Sequence, residues 1–364
     1  MLVENNIKIC TATFFSASAP SYGAFLQAWA LQQFLGESNY ILNLPLHWPS
    51  FVGENGRRKL PFFWRLIALW RYFLRYYLRK GCFDEFNTLN LTSFYHTTKE
   101  IVKNPPQADV YITGSDQVWN RKIILIPDKD IYNNDIYFLA FGPSNVKRIA
   151  YAASMGEKEW PATFTQQVLP HLRKFNAISV REESSVPFLN SIGLENVAVT
   201  CDPTILHTAD FYRSHFSHAQ NKCYGCIFVY RIKKEFPISI QKFFDTRKIV
   251  EPIINKHKLV SVTQWLHNID TCDAVITDSF HGTVFSILFH KPFISLLSNN
   301  RNERKLDLLR KVNLEYRLLS GNETHEEIEE ILYRPVNWEQ VDAILEEWRS
   351  YSENWLKEAL YVHK

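Results

Sequence analysis

Short apolar runs, each closed by glycine, serine, arginine or aspartate and set between helix-patterned stretches, constrain this chain's fold more than any other feature. The first half carries KICTATFF at residues 8–15, VYIT at 110–113, and similar runs at 149–152, 177–180 and 197–200. The second half continues with CIFVY at 226–230, KIV at 248–250, KLVSV at 258–262, DAVIT at 273–277 and PFISLL at 292–297. Near-continuous apolar strands alternating with helices are what a parallel sheet covered on both faces demands. The pattern therefore predicts an α/β chain. Residues 22–35, YGAFLQAWALQQFL, read as its first helix with an apolar face, and SASAPSYG before it reads as a strand-to-helix turn.

At 364 residues the chain is long for a single core, since domains run to roughly 100–200 residues. The stretch ILHTADFYRSHFSHAQNK is polar and lacks strand patterning, which places a boundary near residues 205–225. The expected division is an N-terminal domain over 1–205 and a second over 206–335. Residues 336–364 follow as an amphipathic helix that packs on, or crosses between, the two. A hydrophobic content of 46% is enough for large soluble cores, and a net charge of +3 is too small to nominate nucleic acid as a partner. No apolar run reaches the roughly 18 residues of a membrane span, and the N-terminus lacks the pattern of a secretory signal. The six cysteines sit mostly in strand-like segments, as buried thiols in a reducing cytoplasm would. CYGC at 223–226 lacks the second pair that a zinc site wants and leads into a strand, so it reads as structural. No metal or cofactor is expected.

Function concentrates where the runs end, because ligands of open α/β sheets sit beyond the carboxyl ends of strands. DAVIT is followed by Asp278, Ser279, His281 and Gly282 and then by the apolar helix pattern TVFSILF. A helix N-terminus there favours an anion, and His281 would meet it with an ionisable imidazole. The alternative is that Asp278 or Ser279 merely caps the helix. VYIT likewise runs into Gly114, Ser115, Asp116, Gln117 and Trp119, either a capped turn or a sugar-binding strand end with the Trp119 face exposed. Arg181, after the run at 177–180, can clamp a carboxylate or phosphate, or pair with Glu182 or Glu183. YAASMG at 151–156 and CDPT at 201–204 are further polar strand ends.

Together, and in order, YGAFLQAWAL (22–31), TGSDQVWN (113–120), YAASMG (151–156), SVREES (179–184), CDPTIL (201–206), TDSFHGTVFSILFHKPF (277–293) and RNERKLDLL (301–309) resemble the polysaccharide pyruvyl transferase family. The resemblance implies two Rossmann-like halves with a cleft between them, as in the two-domain, GT-B-like glycosyltransferases. It also implies transfer of a pyruvyl group from phosphoenolpyruvate to two hydroxyls of a sugar, forming a cyclic ketal in a cell-surface polysaccharide precursor, some of them lipid-linked. A terminal galactose is the family-weighted acceptor. On this reading His281 and Asp116 are catalytic. Arg181, Ser279, Gly282, Thr283, Lys291, Arg301 and Arg304 surround the donor, and Tyr22, Gly23, Ser115, Gln117, Trp119 and Ser154 surround the acceptor. In some relatives the histidine stands in an Arg-Leu-His-Gly run, whereas here it stands in Ser279-Phe280-His281-Gly282. The arginine's role then falls to Arg181, Arg301, Arg304 or Lys291.

Residues 57–80, RRKLPFFWRLIALWRYFLRYYLRK, form a helical pattern with Arg65, Arg71, Arg75 and Arg79 on one arc and an aromatic-rich apolar face opposite. Such a helix either lies peripherally on the inner face of the plasma membrane or packs on its own domain with a solvated edge. Two competing functions remain open at this level. One is a nucleotide-sugar-dependent glycosyltransferase, and the other is a non-catalytic, glycan-binding member of the family.

Overall fold

A computed structural model of the chain describes residues 7–15, 21–44, 85, 88–95, 98–124, 136–216, 224–232, 235–245, 247–251, 253–255, 258–297 and 302–361. The basic-aromatic stretch 57–80 and Arg301 lie outside the described residues. The chain divides into two compact units, one of Met1–Pro203 with Ser352–Lys364, the other of Thr204–Tyr351.

In the first unit β1 (Ile9–Ala12), β2 (Asn39–Ile41), β3 (Val110–Thr113), β4 (Lys147–Ala153), β5 (Ala177–Val180) and β6 (Ala198–Val199) make one sheet in the order β2-β1-β3-β4-β5-β6. Every pairing is parallel. Helices α1 (Tyr22–Leu35), α2 (Thr98–Lys103), α3 (Arg121–Ile124), α4 (Ala162–Leu172) and α5 (Val186–Ser191) connect the strands. The helix expected over residues 22–35 is α1, and it is buried almost all round rather than on its apolar face alone. Its two buried glutamines find partners: Gln32 donates to the Asn39 carbonyl at 2.9 Å and Gln27 to the Thr13 hydroxyl at 2.9 Å. One aromatic cluster of the core is built on Trp119, Phe138, Trp160 and Phe164.

In the second unit β7 (Ile227–Tyr230) and β8 (Ile249–Val250) precede a separate antiparallel pair, β9 (Ile253–Asn255) and β10 (Lys258–Leu259). Then come β11 (Ala274–Thr277), β12 (Phe293–Leu296) and β13 (Leu318–Leu319), which join β7 and β8 in a parallel sheet of order β13-β12-β11-β7-β8. KLVSV is thus not a strand of the main sheet. Ser261 caps the helix that follows, its hydroxyl accepting from the Gln264 amide at 3.0 Å. The helices are α6 (Ala209–His215), α7 (Ile238–Phe244), α8 (Val262–Thr271), α9 (Phe280–Leu288), α10 (Glu303–Lys311), α11 (His325–Tyr333) and α12 (Trp338–Tyr361). From Ser352 onward α12 belongs to the first unit, where the Ser352 hydroxyl accepts from the Cys201 amide at 2.9 Å.

Cys10, Cys201 and Cys272 are buried free thiols, whereas Cys226 is disulfide-bonded, which corrects the expectation of reduced thiols throughout. No helix among the described residues is long and apolar enough to cross a membrane.

Each sheet has one point where the chain reverses its direction of growth. In the first it lies between β1 and β3, in the second between β7 and β11. The carboxyl ends of strands at such a point leave the crevice in which α/β sheets bind ligands.

Candidate active site

The turn at residues 277–283 occupies the reversal point of the second unit. Asp278, just past β11, accepts a 2.7 Å hydrogen bond from the Ile232 amide just past β7, so its carboxylate ties the two strand ends together. Thr277 supports the same turn, its hydroxyl donating to the Tyr230 carbonyl at 2.6 Å and accepting from the Ser279 amide at 3.0 Å. Ser279 is the N-cap of α9, its hydroxyl accepting from the Gly282 amide at 3.2 Å. The helix starts one residue before His281, a residue 6% exposed whose ring lies edge-on to Phe280 at 5.2 Å. Gly282 is required by close packing: a Cβ there would stand 2.5 Å from the Thr277 hydroxyl oxygen.

Two cations from α10 face this turn. The Arg304 guanidinium carbon stands 5.3 Å from the Phe280 ring centroid. The Lys305 ammonium, on a residue 2% exposed, donates to the Asp278 carbonyl at 3.2 Å and to the Leu296 carbonyl at the end of β12. With the positive end of α9, these groups make the strand ends of the second unit electropositive.

The reversal point of the first unit has the opposite character. Gly114, at φ +110°, carries the chain away from β3, and a Cβ on it would lie 2.1 Å from the Tyr151 carbonyl oxygen. The Ser115 carbonyl accepts from the Thr13 hydroxyl beyond β1 at 3.1 Å. Asp116 follows in the left-handed region at φ 66°, a conformation aspartate tolerates better than most residues. The bulge in β4 between Ala150 and Ala153 delivers Ser154 to the same place, where its carbonyl accepts from the Trp119 amide at 3.1 Å.

Beneath this turn lies a buried charge cluster. Arg181 reaches the Asp202 carboxylate at 2.5 Å, the Glu182 carboxylate at 3.6 Å and the Asp116 carboxylate at 3.9 Å. Ser115 donates to Asp202 at 3.0 Å, and Ser154 donates to Glu182 at 2.5 Å. Burial alone would lower the Arg181 guanidinium pKa, but the charges of Asp202, Glu182 and Asp116 outweigh it and hold the pKa above the usual arginine value. One guanidinium thus faces three carboxylates. The side chain of Asp116 is 16% exposed against 1% for Glu182 and 0% for Asp202, so Asp116 is the member open to a ligand.

The sequence-derived residues sort accordingly. His281, Ser279, Gly282, Thr283 and Arg304 come together at the second unit's reversal point. Within that group Thr283 is a packing residue, its hydroxyl donating to the Ser279 carbonyl at 3.0 Å and pairing with Ser295 at 2.9 Å. Lys291 is not brought there. It donates to the Cys272 carbonyl at 3.3 Å, before β11 begins, and the four-residue strand between Cys272 and the turn spans roughly 13 Å. Arg181 is turned into its own carboxylates in the first unit, so its guanidinium serves as an internal clamp rather than a free donor contact. Of the four cations considered for the arginine's role, Arg304 is the one described beside the histidine turn.

On the acceptor side Ser115 and Ser154 bond inward to Asp202 and Glu182, and Gln117 accepts from the Asn120 side chain at 2.6 Å. Trp119 does not offer its face to a sugar. It is fully buried, stacked on Phe138 at 5.6 Å, with its indole N–H donating to the Tyr137 carbonyl at 3.0 Å. Tyr22 and Gly23 are buried in the first turn of α1. Glu182 pairs with Arg181, one of the alternatives the sequence left open for that arginine, whereas sequence reasoning missed Lys305 and Asp202 as members of these clusters. Their signal was present in RNERKLDLL and CDPTIL, but each side chain's direction depends on neighbours far away in sequence.

A separate cavity of about 1270 Å³ lies at the amino ends of β1, β3 and β4, lined among others by Lys8, Tyr111, Lys147 and Arg148. Two of its cations, Arg148 and Lys147, are committed to main-chain carbonyls. Arg148 donates to those of Leu139, Phe141 and Pro143 at 2.8–3.0 Å, and Lys147 to that of Leu360 at 2.8 Å. The reversal-point clusters remain the better site.

No curated protein sequence matches the chain significantly. Among solved structures, it is similar to UDP-GlcNAc 2-epimerase from Neisseria meningitidis bound to UDP-GlcNAc, at 12% identity and a TM-score of 0.49 over 97% of this chain and 99% of that one. It is also similar to the Methanocaldococcus jannaschii UDP-GlcNAc 2-epimerase in complex with UDP-GlcNAc and UDP, at 12% identity and 0.47 over 95% and 100%. The model of one family, polysaccharide pyruvyl transferase, matches residues 22–300. That span takes in both reversal points and most of the chain, and the protein belongs to the polysaccharide pyruvyl transferase family.

Proposed function

We propose that the protein moves the pyruvyl group of phosphoenolpyruvate onto two hydroxyls of a sugar, a terminal galactose in a cell-surface polysaccharide precursor. What supports this reading beyond the family is the opposite charge of the two strand-end clusters. A multiply anionic donor suits the turn where the N-terminus of α9, His281, Arg304 and Lys305 converge. Sugar hydroxyls suit the cluster where Asp116 presents a carboxylate able to take a proton.

In the proposed reaction the methylene carbon of the donor gains a proton and becomes a methyl group, leaving an electron-poor C2. One sugar hydroxyl adds to C2 and loses its proton, phosphate departs with the C2–O bond electrons, and the second hydroxyl adds to C2 in its place and closes the ketal, its proton leaving with the phosphate as hydrogen phosphate. His281 supplies the proton to carbon, and the electropositive turn stabilises the departing phosphate. Asp116 receives a hydroxyl proton. A lipid-diphosphate-linked acceptor goes with this reading through the family, and a peripheral place at the inner membrane face goes with the basic-aromatic sequence of residues 57–80.

The test is phosphorus NMR of the purified protein with phosphoenolpyruvate and galactose- or N-acetylmannosamine-terminated acceptors. Acceptor-dependent loss of the enol phosphate signal is expected. Hydrolysis of a sugar nucleotide in its place would move the assignment to a glycosyltransferase. Sugar binding with no turnover of either donor would move it to a glycan-binding role.

A further inference from the structure

Lys305 is the most deeply buried charged residue of α10, at 2% exposure against 9% for its neighbour Arg304. Lysine is rarely buried, because its ammonium is strongly hydrated and burial costs several kcal/mol, of order, unless hydrogen bonds and charge make up for it. Two of its hydrogen bonds go to main-chain carbonyls at strand carboxyl ends: Leu296, the last residue of β12, and Asp278, the residue before the N-cap of α9. The ammonium therefore joins the ends of two neighbouring parallel strands. It does so directly under the turn that carries His281.

Two consequences follow from that position. The first is mechanical: pulling on the Asp278 carbonyl fixes the peptide that leads into Ser279, so the cap of α9 and the height of His281 depend on Lys305. The second is electrostatic. A cation beside the positive end of a helix opposes the helix dipole, and the arrangement becomes favourable when an anion lies against both. A neutral amide could staple the two carbonyls equally well, but it would bring no charge.

We propose that Lys305 is a positioning residue that fixes the His281 turn and lends its charge to binding of the donor's phosphate group at the N-terminus of α9. This inference rests on the reading above that the second unit takes the phosphate-bearing donor. It adds a residue that the family motif around His281 does not contain, contributed by a helix 24 positions further on.

Two substitutions separate the staple from the charge. Lys305→Gln keeps N–H donors for the carbonyls and removes the charge, whereas Lys305→Met removes both. The readouts are thermal midpoint, affinity for inorganic phosphate by calorimetry, and the split of turnover between KM for phosphoenolpyruvate and kcat. Lys305→Gln is expected to melt near the wild-type midpoint, to bind phosphate about tenfold or more weakly, and to raise KM by a similar factor. Lys305→Met is expected to lower the midpoint and to reduce kcat as well. If Lys305→Gln binds phosphate as the wild type does, the charge role is overturned. If Lys305→Met retains full kcat, the positioning role is overturned. Should Lys305→Met fail to fold, the staple is supported and Lys305→Gln alone decides the charge. Failure of the wild-type protein to bind either phosphate or phosphoenolpyruvate would instead overturn the donor assignment on which the inference stands.

Discussion

Replacing Arg181 by alanine tests the account of the first unit's charge cluster. The side chain is 2% exposed and its guanidinium meets Asp202 at 2.5 Å and Glu182 at 3.6 Å, both of them buried. Removing it leaves two carboxylates in a low-dielectric interior with their serine and main-chain donors but no counter-charge. Breaking a buried pair from one side costs about 3–5 kcal/mol. For a unit of roughly 200 residues each kcal/mol moves the melting midpoint by about 2–4 °C, so the expected fall is roughly 6–20 °C. The assay is thermal unfolding followed by near-ultraviolet circular dichroism. Adding Asp202→Asn to Arg181→Ala should restore part of the loss, because one stranded charge is then gone. An unchanged midpoint with a raised KM for phosphoenolpyruvate would refute the reasoning and return Arg181 to the donor.

Gly282→Ala should destabilise the second unit by about 1–3 kcal/mol, because the new methyl meets the Thr277 side chain 2.5 Å away where both elements are buried; denaturant titration measures it. Burial pushes the thiols of Cys10 and Cys272 up to about 12, so both should resist a thiol reagent at neutral pH and react on unfolding. Equal labelling rates in native and unfolded protein would contradict this. Burial acts to raise the Glu323 carboxyl, but hydrogen bonds from Ser320 and Gly321 outweigh it and hold the carboxyl below its usual value. A group depressed in the folded state contributes stability above its unfolded pKa that is lost as pH falls through the folded one. Glu323→Gln should therefore flatten the acid-side decline in stability, and an identical slope in the variant would remove that contribution.

Much of the fold was legible because parallel strands announce themselves. VYIT and the run at 177–180 coincide with β3 and β5, being continuous apolar segments ended by Gly114 and Arg181. β2 escaped because Asn39–Ile41 is three residues long and half polar. α8 escaped behind KLVSV, although Val262, Trp265, Leu266 and Ile269 carry the helical spacing and Ser261 is its cap. The site was partly legible. The turn at 277–283 could be placed from the strand before it and the glycine within it, because both constraints are local. Lys305 and the Arg181–Asp202 pair could not be, since their burial follows from which strands neighbour one another, and charged residues read from sequence default to the surface. Trp119 shows the converse: a polar turn before an aromatic ring is compatible with a sugar platform or a core plug, and only the packing on Phe138 decides.

The most direct test of the central claim compares wild-type protein with His281→Ala for acceptor-dependent phosphate release from phosphoenolpyruvate, and for the matching ketal on the acceptor by mass spectrometry. The account predicts stoichiometric phosphate and ketal from the wild type, with turnover reduced about a hundredfold or more in a variant that remains folded. Near-normal turnover by the folded variant would contradict the proton-donor role of His281 and the mechanism built on it.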